Sequence, residues 1–279
     1  MPTTYHSQNI PPWLERCVIL QGTVGSTAHG LALEGTDDSD LMGVCIEPIE
    51  EALTLGQAFE QAIHRTAAIR TGQMHAPSQH GDVDRTVFGL RKFCQLAAAG
   101  NPTTLLLFYV PAPEIRNALG GVLRDMAPLF VSKEAGKRFL GYMQGQMQRL
   151  QGTRGQKRVN RSELEAAHGF DTKYAMHVLR LGHQGVELLE TGKLSLPMGE
   201  PLKSRLMSLR RGEWRLEDVF NEAAMLEQRL KKLLDTSLLP EHPDRVAINA
   251  WMQQTYLEMW KARQPLFRAV GDKFIQVER

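Results

Sequence analysis

The chain has 279 residues, and its 33 Lys and Arg nearly balance its 31 Asp and Glu, which leaves a formal net charge of +2 at pH 7. This balance excludes nucleic-acid binding by the surface as a whole, so any such binding requires a local basic patch. No apolar stretch approaches the length of a membrane span and the N-terminus lacks the apolar core of a signal peptide, so we expect neither feature.

The first part of the chain alternates short apolar runs with turn signals, a pattern typical of a small sheet. Residues 1–14 are polar and form an expected N-terminal arm. The apolar, partly β-branched runs at 17–20 and 42–47 predict buried strands, with a short helix over 27–33 between them. Residues 70–81 are rich in Gly, His, Pro and Ser, which predicts a loop.

A further strand and helix follow this loop. Residues 82–88 alternate polar and apolar side chains and then become apolar, which predicts a strand that enters a core. Residues 90–99 predict a helix that stops at Gly100-Asn101-Pro102. The apolar run 105–110 fits either a last strand or a buried helical turn.

Helical periodicity replaces the strand pattern after Pro111-Ala112-Pro113 and continues to the end of the chain. The predicted helices cover residues 115–128, 132–151, 161–167, 171–191, 200–209, 215–235 and 243–263. We therefore predict an α+β fold, with a small mixed β-sheet and its helices over 1–112 and an all-helical domain over 113–279.

The three cysteines, Cys17, Cys45 and Cys94, each lie in an apolar run. An odd number of cysteines in such positions favours reduced core residues over a disulfide framework or a metal site. We therefore expect a cytoplasmic protein.

Two short motifs flank the loop between the first two predicted strands. Gly25-Ser26 follows the first strand, and eleven residues separate it from Asp38-Ser39-Asp40, which leads into the next. Carboxylates at i and i+2 at the mouth of a strand point to the same side, and their like charges stay ionised together only with a cation between them. Mg²⁺, or Mn²⁺ in its place, is the natural ion beside phosphates. The alternative is a solvated acidic turn that also includes Asp37.

Gly25-Ser26 adds a place for an anion. A Gly-Ser turn lets backbone amides and a hydroxyl approach a phosphate closely, although a serine here is also a common helix N-cap. A phosphate cradle that faces a metal-binding carboxylate pair is typical of phosphoryl or nucleotidyl transfer. Catalysis with two ions needs a third carboxylate, and Asp82 and Asp84 both lie on a strand face that could supply it.

One predicted helix carries a polar stripe, Lys173, His177, Arg180 and Gln184, at positions i, i+4, i+7 and i+11. A neighbouring apolar stripe must face a core, so the polar stripe fits a helix that lines a cleft. The alternative is a solvated face. Asp171 is the expected N-cap of this helix.

Together these motifs resemble the polymerase-β-like nucleotidyltransferases, and in particular a subgroup of bacterial and phage nucleotidyltransferases of which some are associated with RNA repair. The resemblance covers roughly residues 15–215. It is carried by Gly25-Ser26, Asp38-x-Asp40, Asp84-Arg85-Thr86-Val87-Phe88, Leu90-Arg91-Lys92-Phe93, Gly100-Asn101-Pro102, Asp171-Thr172-Lys173, His177, Arg180-Leu181 and Glu187-Leu188-Leu189-x-x-Gly192-Lys193.

The resemblance implies catalytic and metal-binding roles for three carboxylates, Asp38, Asp40 and Asp84. It favours Asp84 over Asp82 because the spacing from Asp84 to Leu90-Arg91-Lys92-Phe93 fits the family. It further implies that the nucleotide is bound by Gly25, Ser26, Lys173, His177 and Arg180. His29 is another candidate for this pocket, with a packed or exposed histidine as the alternative.

The activity implied by the resemblance is metal-dependent transfer of a nucleoside monophosphate from a triphosphate such as ATP to an acceptor hydroxyl, with Mg²⁺ or Mn²⁺ as the cofactor. The implied acceptor is an RNA 3′ end, damaged or tRNA-like. One alternative is a protein or small-molecule hydroxyl, as in AMP-transferring toxins and antitoxins. Another is a non-catalytic binding module of the same fold.

A basic segment without acidic residues lies between two predicted helices. If the acceptor is RNA, this segment is expected to follow its backbone. The alternative is a solvated linker. The candidate nucleic-acid contacts are Arg149, Arg154, Lys157, Arg158 and Arg161.

Overall fold

The computed structural model describes residues 3–33, 38–73, 76, 78–153, 161–263, 266–270 and 273–277. The strands in these ranges are β1 Thr3–His6, β2 Val18–Val24, β3 Ser39–Cys45, β4 Phe59–Arg65, β5 Val83–Gly89, β6 Glu114–Ile115, β7 Leu266–Val270 and β8 Lys273–Val277. The helices are α1 Leu14–Cys17, α2 Gly25–His29, α3 Ile49–Ala52, α4 Thr66–Thr71, α5 Leu90–Ala98, α6 Pro102–Leu105, α7 Ala118–Asp125, α8 Ala127–Phe130, α9 Lys133–Leu150, α10 Ser162–His168, α11 Thr172–Thr191, α12 Leu202–Arg210, α13 Leu216–Thr236 and α14 Arg245–Arg263.

The main sheet has six strands in the order β1-β4-β5-β3-β2-β6. The pairs β1–β4 and β3–β5 are parallel, whereas β2–β3, β4–β5 and β2–β6 are antiparallel. The parallel register of β3 and β5 places Asp40 beside Asp84, so both side chains point to one face of the sheet, called the front face below. The predicted α+β fold with a mixed sheet is therefore confirmed.

The front face packs against the helices through one apolar core. Met42 and Val44 of β3 contribute to it, together with Phe93 of α5 and Leu179 of α11. The core thus contains buried residues from both sides of residue 112. Helix α11 lies at its centre, since it packs against α9, α12 and α13. The division into domains at residue 112 stays a prediction.

The opposite face, called the back face below, carries a smaller apolar cluster. Cys45 of β3 and Val87 of β5 pack there with Leu14 of α1. Cys17, Cys45 and Cys94 are buried and not in a disulfide, as the sequence predicts. Burial, and secondarily the charge of Glu47, raises the pKa of Cys94 to about 12, which keeps that thiol protonated.

The structure differs from the sequence-based expectation near the N-terminus, and it selects one of the two alternatives for the apolar run 105–110. Residues 3–6 form the edge strand β1 rather than a simple arm, because an edge strand needs only one hydrogen-bonding partner and little apolar character. The apolar run 105–110 is the helical alternative: the last residue of α6 is followed by a 3₁₀ turn over Leu106–Phe108.

The expectation that helices continue to the C-terminus is wrong for the last described residues. Strands β7 and β8 pair there as an antiparallel hairpin, and β6 joins the main sheet just past residue 112. The hairpin strands are separated in sequence by Gly271-Asp272, a turn signal that follows a long helical pattern. In the part of the chain that the structure describes, no helix is both long and apolar enough to cross a bilayer.

Candidate active site

Three carboxylates meet at the start of strands β3 and β5. Asp38, Asp40 and Asp84 each place an oxygen within 4.8 Å of the others, and all three are partly exposed. Asp40 and Asp84 are neighbours because they occupy paired positions in the parallel register, and Asp38 lies two residues before Asp40. The structure therefore brings together the three acidic residues that the sequence analysis selects, in a group that could hold a metal ion.

Gly25 fits closely against one of these carboxylates. Strand β2 pairs Val24 with Asp40, so the next residue lies directly beside the Asp40 side chain. Gly25 has a φ of 69°, and a Cβ at this position would lie 2.1 Å from Asp40 Oδ2. Any other residue would be strained and would displace the carboxylate. Ser26 follows in the first turn of α2, on the same flank of the cluster.

Asp84 has two oxygens in different environments. Its Oδ2 accepts hydrogen bonds from Arg65 Nε at 3.0 Å and from Ser78 Oγ at 3.0 Å. Its Oδ1 is buried and has no hydrogen-bond partner among the described residues. An unpaired buried carboxylate oxygen costs free energy unless a cation or donor satisfies it. This orphaned oxygen, within reach of Asp38 and Asp40, fits a divalent cation with oxygen ligands.

Asp82, the other candidate for the third carboxylate, is fully engaged elsewhere. Its oxygens accept hydrogen bonds from the Gln79 amide at 2.7 Å, from Thr66 Oγ1 at 2.9 Å and from Arg70 at 2.7 Å. The Gln79 amide, followed by Thr66 and Arg70, lowers the pKa of Asp82. These contacts close the turn before β5, so the geometry places Asp84 and not Asp82 in the cluster.

The helix after Gly25 is anchored by a buried histidine. His29 is fully buried, and its Nε2 accepts a hydrogen bond from the Arg180 guanidinium, while its Nδ1 faces the Gln184 amide at 3.4 Å. Burial, and then the nearby Arg180, holds the pKa of His29 well below its usual value. A guanidinium can only donate, so the neutral ring accepts at Nε2 and carries its proton on Nδ1.

Three residues of the polar stripe of α11, His177, Arg180 and Gln184, lie beside His29. Gln184 is buried, and Lys173, His177 and Arg180 are partly buried. Burial lowers the pKa of Arg180 to about 10, against an opposing effect of the Asp40 carboxylate, so the guanidinium lies within electrostatic range of the cluster. Burial, then Arg180 and Lys173, also holds the pKa of His177 well below its usual value.

The expected N-cap of this helix is observed. Asp171 Oδ1 accepts a hydrogen bond from the Tyr174 amide at 3.0 Å, and Oδ2 pairs with Arg161 at 3.1 Å. The guanidinium of Arg161 also lies over the Tyr174 ring, 5.4 Å from its centroid. These contacts fix the start of α11 and hence the direction of its polar stripe.

The basic segment is only partly described. Arg154, Lys157 and Arg158 lie outside the described residues. Arg161 is engaged with Asp171, as above, and Arg149 donates to the backbone oxygen of Gly145 at 3.5 Å. The nucleic-acid role of this segment stays a prediction.

Sequence reasoning did not select Arg65 and Ser78, the two residues that hold Asp84. Arg65 is paired with Asp84 across the antiparallel β4–β5 register, 19 residues away in the chain. Ser78 lies in the segment predicted as a loop. Neither residue belongs to a motif around the carboxylates: the pairing of β4 with β5 reveals Arg65, and the path of the segment before β5 reveals Ser78.

Comparison with known proteins gives a family match over most of the chain. The sequence model of the RlaP family, described as the RNA repair pathway DNA polymerase beta family, matches residues 8–254. No curated protein matches the chain. One solved structure, a nucleotidyltransferase-like protein from Exiguobacterium sibiricum 255-15, is 12% identical over 90% of this chain and 77% of that chain, with a TM-score of 0.28. A structural similarity at that level supports no conclusion about the site.

Proposed function

The chain belongs to the RNA repair pathway DNA polymerase beta family, and on this premise we propose that it transfers a nucleoside monophosphate from a nucleoside triphosphate to the 3′ hydroxyl of an RNA. The observation that carries the proposal is the cluster of Asp38, Asp40 and Asp84 with the orphaned oxygen of Asp84. A carboxylate cluster of this kind beside a Gly-Ser turn supports phosphoryl chemistry with a divalent ion.

The carboxylates and the turn divide the work of binding. Asp38, Asp40 and Asp84 would hold Mg²⁺ or Mn²⁺, which when bound neutralises the triphosphate and polarises the reacting phosphorus. Gly25 and Ser26 lie beside Asp40 and would donate backbone and hydroxyl hydrogen bonds to phosphate oxygens.

The polar stripe of α11 would bind the same triphosphate from the other side. Arg180 and Lys173 contribute positive charge, and the hydrogen bond to His29 fixes the direction of the Arg180 guanidinium. His177 has a lowered pKa and is neutral at pH 7, so it contributes a hydrogen bond rather than a charge.

In the proposed reaction, the acceptor oxygen forms a bond to the α-phosphorus and the bond from that phosphorus to the β-phosphate oxygen breaks. Pyrophosphate leaves, and the hydroxyl proton is released to water. Asp84 would orient the acceptor hydroxyl, while Arg65 and Ser78 hold Oδ2 and so fix the rotamer of the carboxylate.

The test is a labelling experiment that separates the acceptor classes. The protein is incubated with each α-labelled nucleoside triphosphate, with Mg²⁺ or Mn²⁺, and with either cellular RNA or cellular protein. We expect label at RNA 3′ ends. The label should be absent when the RNA 3′ ends are blocked by periodate oxidation, and absent when the protein carries Asp38→Asn. Label in the protein fraction, or in small molecules, would instead assign the transferase to another acceptor. Label in no fraction would contradict the catalytic proposal.

The basic segment offers a second test of the RNA acceptor. Each phosphate contact releases counterions, so RNA affinity should fall with salt by a log–log slope of roughly −0.7 per contact. Replacing Arg154, Lys157 and Arg158 with Gln should flatten that slope by about two units and leave triphosphate affinity unchanged. A slope that the triple variant does not alter would remove this segment from the proposal.

A further inference from the structure

A cavity of about 450 Å³ opens on the front face of the sheet, next to the carboxylate cluster. Its lining includes Thr4 and His6 of β1, Ile63 and Arg65 of β4, and Ala68 of α4. The turn that follows β1, closed by the hydrogen bond from the Asn9 amide to the His6 oxygen at 2.7 Å, forms one end. The volume lies in the range of small-ligand sites, about 300–1,000 Å³.

Strand register places this cavity on the same face as the carboxylates. Arg65 is paired with Asp84 across β4 and β5, and Ile63 is paired with His6 across β4 and β1. Residues paired in this way, or two apart on one strand, share a face. The cavity therefore continues the row from Asp40 through Asp84 and Arg65 toward the edge of the sheet.

The cavity and the phosphate-binding turn lie on opposite flanks of the cluster. The strand order β4-β5-β3-β2 puts Gly25, at the end of β2, on one side of Asp40, and puts Arg65 on the far side of Asp84. An in-line displacement needs the leaving pyrophosphate and the attacking hydroxyl on opposite sides of the reacting phosphorus. If the triphosphate lies on the Gly25 flank, the acceptor approaches from the Arg65 flank.

A larger cavity elsewhere does not meet this requirement. It has a volume of about 560 Å³ and is lined by Ala62, Arg85 and Val87, among others. Arg85 follows Asp84 directly in β5, so its side chain points to the back face, away from the carboxylates. Of these two cavities, the one on the front face lies on the same side of the sheet as the carboxylates.

The lining of the front cavity fits an uncharged ring system with hydroxyl groups. Thr4, His6 and Asn9 offer donors and acceptors, whereas Ile63 and Ala68 offer apolar surface. Arg65 is the one full charge in the described lining, and its guanidinium already donates to Asp84 and Ser78. A nucleoside combines a flat ring, polar ring edges and ribose hydroxyls, which matches this mixture of groups.

We propose that this front cavity binds the 3′-terminal nucleoside of the RNA acceptor, with its 3′ hydroxyl directed at Asp84. The proposal rests on the proposed function and adds the acceptor subsite to it. Arg65 then links the two halves of the site, because it lines the subsite and holds the carboxylate 3.0 Å away.

The test uses a substitution that fills the cavity and a control substitution on the same helix, α4, outside the cavity. Ala68→Trp places an indole in the cavity, whereas Ile69→Trp places one on the exposed side of α4, where Ile69 is 52% exposed and outside the lining. The measurements are KM for a short oligoribonucleotide in the labelled transfer reaction and Kd for a non-hydrolysable triphosphate by calorimetry. We expect Ala68→Trp to raise KM for the oligoribonucleotide by about tenfold or more with unchanged triphosphate Kd. Ile69→Trp should change neither value.

A milder variant guards against misfolding. His6→Ala shortens a partly exposed side chain on an edge strand and removes one hydrogen-bonding group from the lining. It should raise the same KM by about two- to tenfold, with an unfolding midpoint equal to that of the native protein.

The measurements distinguish a failure of the proposed subsite from a failure of the proposed RNA acceptor. If RNA is labelled and neither Ala68→Trp nor His6→Ala raises KM for the oligoribonucleotide, the subsite is wrong and the proposed function stands. If the native protein binds the triphosphate but never labels RNA, the RNA acceptor is wrong and the subsite falls with it.

Discussion

The two ends of strand β3 carry acidic residues in opposite circumstances. At its start, Asp40 lies with Asp38 and Asp84 in a partly exposed group of like charges, and Asp84 Oδ1 has no partner among the described residues. Just past its end, Glu47 is 3% exposed and accepts hydrogen bonds from Tyr256 at 2.8 Å and from the Leu90 amide at 3.2 Å. The carboxylates at the start of β3 therefore lack some hydrogen-bond partners, whereas the carboxylate just past its end has a hydrogen bond to each oxygen.

This difference distinguishes the candidate active site at the start of β3 from a structural contact at Glu47, called the anchor below. Glu47 joins the sheet to α14, because the Trp260 indole also donates to its backbone oxygen at 2.9 Å. These paired groups can only stabilise the packing of α14, since each donor already has its acceptor. The carboxylates at the other end repel one another and add little to stability, but they leave ligand positions open. Incomplete pairing thus distinguishes the candidate site from the anchor.

The largest expected effect is a loss of transfer activity when a carboxylate at the start of β3, called the open end below, is replaced. Asp40→Asn removes one ligand and one repulsive charge, so we expect transfer activity to fall by at least about 10³-fold while the unfolding midpoint stays the same or rises. Mn²⁺ titration of the nucleotide-free protein should show weakened binding. Asp82→Asn is the matched control: its carboxylate lies outside the cluster, and it should retain most of the activity. Equal losses in the two variants would contradict the exclusion of Asp82 from the site.

The anchor should respond in the reverse way. Glu47→Ala leaves the Tyr256 hydroxyl and the Leu90 amide buried without an acceptor, so we expect the free energy of unfolding to fall by about 2–5 kcal/mol in urea denaturation. Triphosphate affinity of the folded variant should not change. Glu213→Ala, which breaks an exposed pair with Arg211, should leave stability unchanged. If Glu47→Ala instead lost triphosphate affinity and kept the stability of the native protein, Glu47 would belong to the site and the anchor role would be wrong.

A smaller effect is expected from the helix that faces the open end. Arg180→Ala should weaken triphosphate binding by about 1.5–3 kcal/mol, or roughly 10- to 150-fold in Kd, because a charge-assisted hydrogen bond is lost. Lys173→Ala should act in the same direction. The control is Arg211→Ala, whose side chain pairs with Glu213 on the surface. The measurement is the Kd of a non-hydrolysable triphosphate by calorimetry. An unchanged Kd in both Arg180→Ala and Lys173→Ala would show that α11 is not part of the nucleotide site.

The smallest expected effect is a pH dependence at the anchor. Burial raises the pKa of Glu47 above its ordinary value of 4.5, partly opposed by the hydrogen bonds from Tyr256 and Leu90. The folded chain therefore binds this proton more tightly than the unfolded chain. The resulting stability is fully present below about pH 4.5 and is lost as the pH rises through the raised pKa.

Glu47→Gln isolates this contribution because it cannot ionise. The free energy of unfolding of the native protein, minus that of Glu47→Gln, should decrease as the pH is raised from about 4 to 8 in urea denaturation. Tyr256 and Cys94 face the carboxylate, but burial raises the pKa of both, to about 12 for Cys94, so neither titrates in this range. A difference that increases with pH would show that Glu47 is stabilised as the anion.

Local sequence was sufficient for much of the fold near the site. The glycine with positive φ and the acidic pair before β3 are local features, and α5 and α11 follow the predicted spans within a few residues. Edge strands β1 and β6 were missed because short edge strands carry little apolar periodicity. Strand β4, which carries Arg65, was missed because its segment mixes apolar and polar residues. The hairpin of β7 and β8 was missed because a long helical pattern precedes it.

The sequence by itself determined the chemical groups: the Gly-Ser turn, the carboxylates and the cationic stripe are all visible as spacings along the chain. Only the tertiary structure decided between Asp82 and Asp84, because the choice depends on which carboxylate other residues already saturate. It also supplied Arg65 and Ser78 as neighbours of the site, and it showed that His29, a candidate from the sequence, is packed against Arg180. The physical reason is that these contacts join residues brought together by strand pairing and helix packing, and neither pairing nor packing leaves a local periodic signal.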